Sequence, residues 1–377
     1  MSGLSPIHVI ETLDEYGFTR REPTPWRGED MEEWEPYPVD VTSLTDPVVD
    51  QDDFQLAPSN PFGGWEEIGE RISTVAAQPE PLPPPGSVDA LAWYLPFHFY
   101  GPDWGIYIKE DEVINLAGMI EKRLNGGPRG VERTQQLCRA ALTILYLHEA
   151  YHHKIESFAT RLEIARLDPV YIPYDEHVFR RLLGSDECLE EGIACSEMIT
   201  RLKNEKTYFK KLSREVKDAT IQFLYHWIPE LPPGYRRGIE FLDLPPSGLL
   251  QSQIAHASVT PRQPPEDWDI TTHMIQGLFN KYSVAYIIVP KGRTPSLPWL
   301  DDMRYLSLST RDVEKHITRV HGYFDTGRGK GSHRHFHCGG RPPITLPANR
   351  ETLSHVVQRQ VANALGYKNI RELAERC

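Results

Sequence analysis

The chain has 377 residues, 25 % of them charged and 40 % apolar, with a formal net charge of −12. That length holds two or three domains with sizeable cores, and the composition excludes a disordered, collagen-like or membrane-embedded chain. Its longest apolar runs, such as 140–147 and 284–289, are far too short to span a bilayer, so no membrane partner is expected.

Residues 1–86 read as an acidic, Pro-rich N-terminal segment. The first five residues lack the basic and apolar regions of a secretory signal. Within the segment, residues 28–70 contain 13 Asp and Glu and no Lys or Arg, interrupted by Pro36, Pro38, Pro47, Pro58 and Pro61. An irregular, solvated chain is expected there, acidic enough to compete for a basic surface elsewhere. Residues 78–86 form a stiff polyproline linker. The five cysteines are scattered, with no CxxC pair, which points to a reducing compartment and a cytoplasmic location.

A domain over 87–260 is expected to follow. Its aromatic-rich start contains the strand candidate Gly105-Ile106-Tyr107-Ile108, placed to align an extended substrate by edge pairing. Next comes a helix in which Leu137, Ala141, Ile144, Leu145, His148, His152 and Ile155 recur with helical period. Gly126, Gly127 and Pro128 precede it and Pro169 stops it. His148-Glu149-Ala150-Tyr151-His152 inside this helix is an HExxH motif. Two histidines four residues apart share a helical face one turn apart, so both imidazoles reach one tetrahedral Zn²⁺. Glu149 then stands where a general base toward the attacking water is needed. A buried helix with two histidines for packing is the bland alternative. A di-iron carboxylate site would need a second ExxH motif, and only Glu149-Ala150-Tyr151-His152 is found.

Zinc needs a third protein ligand. The acidic cluster Asp186, Glu187, Glu190 and Glu191 opens a second amphipathic helix carrying Leu189, Ile193, Ala194, Met198 and Ile199. Glu187, Glu190 and Glu191 all remain candidates, with helix N-terminal charge as their ordinary role. Glu156, one turn beyond His152, is placed to orient a ligand or the water, whereas His153 points about 100° away. Tyr174 and His177, between the two helices, are candidate donors to an oxyanion in the transition state, or ordinary loop residues.

With Glu191-Gly192-Ile193-Ala194 matching an ExxA motif, residues 130–200 resemble the gluzincin metallopeptidases. The resemblance implies a zincin-like helical fold, one zinc held by His148, His152 and Glu191, Glu149 as the catalytic base, and a peptide or protein substrate. Some members of that family carry Asp or Asn where this chain has Cys195.

Helical sequence continues to Trp227 and is then broken by prolines. Residues 261–302 read as a linker and connector with one strand over 283–289. Residues 303–377 change character: 13 Lys and Arg stand against 6 Asp and Glu, and six of the 15 His lie there. The pattern predicts helix 311–321, strands near 322–326, 332–338 and 343–346, and helix 352–365, an α-β-β-β-α order. Gly331-Ser332-His333-Arg334-His335-Phe336 followed by Thr345-Leu346-Pro347 resembles HicA-type toxins, small ribonucleases with a double-stranded-RNA-binding-like fold. The resemblance implies His333 as an RNA-cleaving histidine and an antitoxin-like protein partner. Arg328, Lys330 and Arg334 are candidate phosphate contacts. His333, His335 and His337 alternate along one strand face.

The expected fold class is thus a multidomain α+β chain, a mainly helical zincin-like domain joined to a small HicA-like one. The expected function is zinc-dependent hydrolysis coupled to an RNA-associated module. A ribonuclease toxin with a regulatory metal domain and a non-catalytic, zinc-stapled binding protein are the alternatives.

Overall fold

The structure is a computed structural model. It describes residues 6–20, 34–39, 64–78, 88–127, 129–204, 212–258, 260–264, 268, 270, 285–293, 295–297, 308–327, 333–347, 353, 355–367, 373 and 376–377. The chain is mixed α+β and divides into two compact units, residues 1–36 with 40–296 and residues 37–39 with 297–377.

After β1 (Trp34–Val39), whose first half belongs to unit 1, the sheet of that unit runs in the order β4 (Ala285–Pro290), β3 (Gly105–Lys109), β2 (Ala92–Leu95). β2 pairs antiparallel with β3, Trp93 opposite Tyr107, and β3 runs parallel to β4, Tyr107 opposite Tyr286. This revises two expectations. The segment Gly105–Ile108 is a strand but an interior one, so its backbone is bonded on both sides and offers no edge to a substrate. The strand read as part of a connector is β4, which is built into this sheet.

Helices α1 (Pro6–Glu15), α2 (Gly64–Ala77) and α3 (Glu110–Glu121) lead to α4 (Gly130–Arg166), which packs against α2, α3 and the sheet. α2 falls where acidic composition predicts irregular chain. Its Ile68 and Ile72, one turn apart, are buried while Glu66, Glu67 and Glu70 face water, so an amphipathic period outweighs the acidity. Arg71 on α2 ties this helix to Asp111 on α3 at 2.7 Å. Residues 28–33 and 40–63 of the acidic segment and 79–86 of the polyproline linker lie outside the described residues.

α4 is 37 residues long and buried over most of its middle. Gly126 and Gly127 (φ +82° and +89°) form the turn before it, and Leu167 ends it in the left-handed conformation (φ 54°) just before Asp168-Pro169. α5 (Leu189–Asn204), α6 (Arg214–Trp227) and α7 (Ser247–His256) complete the helical layer. α5 also packs intimately against the segment 234–241: a Cβ on Gly192 would lie 2.6 Å from Phe241 Cε2, and one on Gly238 2.5 Å from Cys195 Cβ. Among the described residues no helix is long and apolar enough to cross a membrane, and all five cysteines are free thiols.

Unit 2 has α8 (Thr310–Arg319), an antiparallel sheet β5 (Phe324–Asp325), β6 (His333–His337), β7 (Ile344–Pro347), and α9 (His355–Leu365). The order is α-β-β-β-α. Val313, Ile317, Phe336, Ile344, Leu346 and Val361 fill its core.

Candidate metal centre

The two histidines of the HExxH motif sit on α4 with ring centroids 5.2 Å apart. α5 crosses there and brings Glu191 Oε2 to 3.2 Å from His148 Nε2 and 3.6 Å from His152 Nε2. One ligating atom from each of His148, His152 and Glu191 lies within 4.8 Å of the other two, and all three residues are buried. Among the described residues this is the one such group.

Glu190 decides the tautomer of His152. Its Oε1 lies 2.6 Å from His152 Nδ1, and a carboxylate can only accept, so Nδ1 carries the proton. Nε2, the other nitrogen, faces Glu191 and His148. It is buried and makes no hydrogen bond, a costly state unless a cation takes its lone pair. Tyr174 Oη donates to the second oxygen of Glu190 at 2.6 Å. Burial, then the charge of Glu190, raises the Tyr174 hydroxyl well above its usual range and keeps it a donor. Adjacent carboxylates on one helix thus take different tasks: Glu191 joins the ligand cluster and Glu190 stands behind His152, as metal-binding histidines require.

Burial alone would lower the pKa of His152. The charge of Glu191, the hydrogen bond to Glu190 and the charges of Glu190 and Glu149 outweigh it and raise the group to about 10. The carboxylates therefore favour positive charge at this point: without an ion it is a second proton on His152 Nε2, which a cation would displace to take the lone pair, and two imidazoles with a carboxylate are a donor set suited to zinc. The residues fit the ion that the motif implies.

His148 is held differently. Its ring stacks on Tyr235 at 5.9 Å, and Cys195 Sγ lies 3.7 Å from its Nδ1. A thiol is a weak hydrogen-bonding partner for that nitrogen. Phe179 packs edge-on to His152 at 6.1 Å, from a π-helical turn over Asp175–Phe179.

Other expectations need correction. Glu187 is exposed in the turn before α5 and takes no part in the cluster. His177 is exposed as well. Tyr174, read as a candidate donor, gives its hydroxyl proton to Glu190 behind His152. Glu156 does not reach the cluster. It accepts from Tyr94 Oη, from the backbone N–H of Phe97 (3.2 Å) and His98 (2.9 Å), and from His98 Nδ1 at 2.6 Å. His98 Nε2 in turn lies 2.8 Å from Glu163 Oε2, whose other oxygen accepts the N–H of Val170 and Tyr171. Between two carboxylates His98 is an imidazolium. Burial would lower its pKa, but the charge of Glu163 and the bonds to both glutamates raise it to about 9. This network fixes the turn Phe97–Tyr100 and the short helix Tyr171–Tyr174 to α4. The sequence reading missed it; its one local signal is that Glu156 and Glu163, seven apart, extend the polar stripe of His148 and His152. His153 is likewise structural: burial lowers it to about 3, and its ring stacks on Trp104 at 5.0 Å.

In unit 2, Arg334, expected at a phosphate, has two carboxylate partners and is partly exposed. It bonds Asp325 Oδ2 at 2.8 Å and Glu314 Oε2 at 2.7 Å. His333 begins β6 opposite Pro347, and His335 bonds Thr345 Oγ1 at 2.9 Å. Arg328 and Lys330, and the side chain of His333, lie outside the described residues.

Compared with protein-family models, curated proteins and solved structures, the chain has no match.

Proposed function

We propose that this protein is a zinc-dependent hydrolase acting on a peptide or protein. One observation carries the reading. The bond from His152 to Glu190 leaves its Nε2 lone pair aimed at the point where His148 Nε2 and Glu191 Oε2 converge. A bound zinc supplies polarisation of a carbonyl and activation of water at neutral pH.

The chain's own groups do the rest. Glu149, buried and adjacent to His148, takes a proton from the attacking water on its carboxylate. The water oxygen bonds the carbonyl carbon, the carbon–nitrogen bond breaks, and Glu149 returns the proton to the leaving nitrogen. Glu190 and Tyr174 hold His152 in register. Burial of the cluster limits bulk water and strengthens each electrostatic contact. Glu149→Gln tests the reading: it should keep zinc and lose hydrolysis of a casein or peptide-library substrate by at least about 100-fold. Undiminished hydrolysis in that variant would refute it.

The α-β-β-β-α order of unit 2 supports a second, separate proposal, the HicA-like reading, with RNA and an antitoxin-like protein as its partners. His333→Ala is its test: RNA cleavage unchanged by the substitution, or absent from the wild-type protein, counts against it.

A further inference from the structure

Unit 2 holds a second polar cluster, separate from the metal centre. His316 on α8, His321 in the turn after it, Arg341 between β6 and β7, and Tyr367 just after α9 meet there. His316 Nε2 is 2.8 Å and His321 Nε2 2.7 Å from Tyr367 Oη, with the two imidazole centroids 5.0 Å apart. Arg341 Nη1 is 2.8 Å from His321 Nδ1.

The chemistry of the groups orders these contacts. A guanidinium only donates, so His321 Nδ1 accepts and is unprotonated. His321 is then neutral, carries its proton on Nε2 and donates it to Tyr367 Oη. Arg341 is exposed, and among the described residues its side chain makes this one hydrogen bond, to a neutral base and not to a carboxylate. A second guanidinium, that of Arg376, lies 5.7 Å from the Tyr367 ring centroid. The titratable and charged groups facing His321 are His316, Tyr367, Arg341, Arg376 and the Cys338 thiol, which donates to the His321 carbonyl at 3.3 Å. Among the described residues none is a carboxylate. Burial and the charges of His316, Arg341 and Arg376 hold His321 below its ordinary range, in agreement with the neutral form. A guanidinium set against a neutral imidazole has a weak acceptor, which an oxyanion would replace with a charged one.

We propose that Arg341, His321 and Tyr367 form a binding site for a phosphate group. The phosphate gives the Arg341 fork a stronger acceptor than the imidazole. His321 Nδ1, released, takes one proton from solvent and becomes a second donor to the phosphate, while Nε2–H keeps its bond to Tyr367. No covalent bond changes. Binding is coupled to uptake of one proton, so affinity rises as pH falls.

Calorimetric titration of the full chain with inorganic phosphate near pH ~6 and pH ~8 tests this, using wild type, Arg341→Gln and His321→Gln. Arg341→Gln should bind at least about tenfold more weakly near pH ~6. Wild type should gain up to about tenfold in affinity per unit fall in pH beyond whatever His321→Gln shows, a comparison that removes phosphate's own titration. A short single-stranded RNA separates the sources. RNA binding competed by inorganic phosphate assigns the site to a nucleic-acid phosphodiester; phosphate binding without RNA binding assigns it to free phosphate or a monoester. No phosphate binding at either pH, or Arg341→Gln equal to wild type, overturns the proposal. If Arg341→Gln does not fold, His321→Gln decides alone, and a pH dependence identical to wild type overturns it.

Discussion

Glu190 Oε1 lies 2.6 Å from His152 Nδ1. A carboxylate in that position fixes the tautomer and raises the basicity of the opposite nitrogen, so Glu190 would support an ion held by His148, His152 and Glu191 without being one of its ligands. Glu190→Gln should weaken zinc affinity about 10- to 100-fold, and Tyr174→Phe less, because it removes only the outer link of the same chain. Chelator competition measures both. Equal zinc affinity in wild type and Glu190→Gln would contradict the assignment.

The two histidines have unequal backing. Cys195 Sγ stands 3.7 Å from His148 Nδ1, too weak a partner to orient the ring as Glu190 orients His152. Cys195→Ala should therefore cost less zinc affinity than Glu190→Ala in the same competition assay. A larger loss in Cys195→Ala would reverse the roles given to the two partners.

The imidazolium of His98 sets a pH dependence of stability. Its folded pKa, about 9, lies above the ordinary value of 6.5. The stabilisation it contributes is complete below about pH 6.5 and is lost as pH rises through about 9. Within that window unfolding free energy should fall by up to about 1.4 kcal/mol per pH unit. Denaturant titrations across the range check this against His98→Gln, which should lack the slope. That variant should also be less stable near neutral pH by about 3 kcal/mol, since two buried carboxylates lose their partner.

Gly192, next to the ligand Glu191, is a packing position. A Cβ there meets Phe241 Cε2 at 2.6 Å and the Gly234 carbonyl oxygen at 3.1 Å. Gly192→Ala should destabilise the protein by about 1–3 kcal/mol through overpacking, despite alanine's better helix propensity. Thermal unfolding gives the answer, and an unchanged or raised melting temperature would contradict the close approach of α5 to Phe241.

What the sequence made legible follows from the range of each signal. His148 and His152 are one helical turn apart, so spacing alone placed them on one face, with Glu149 next to the first. Glu191 was named through a short motif, but spacing could not divide the tasks of Glu190 and Glu191. Their side chains point about 100° apart, and which one meets α4 depends on how the helices cross. Glu156 illustrates the opposite case. Its position one turn past His152 suggested the metal, whereas its partner His98 stands 58 residues earlier in the chain. The strand Ala285–Pro290 was visible by composition, but its parallel pairing with Gly105–Lys109 was not. In unit 2 local periodicity was enough for the order of helices and strands. The pairing of Arg334 with Glu314, 20 residues away, left no local trace.

Metal content per chain, measured by elemental analysis on wild type, His148→Ala and Glu191→Ala after reconstitution, tests the central claim most directly. The account predicts about one zinc in wild type and little in either variant, with far-UV circular dichroism showing that the variants remain folded. Wild-type protein that takes up no zinc, or variants that bind it as wild type does, would contradict the three-ligand centre.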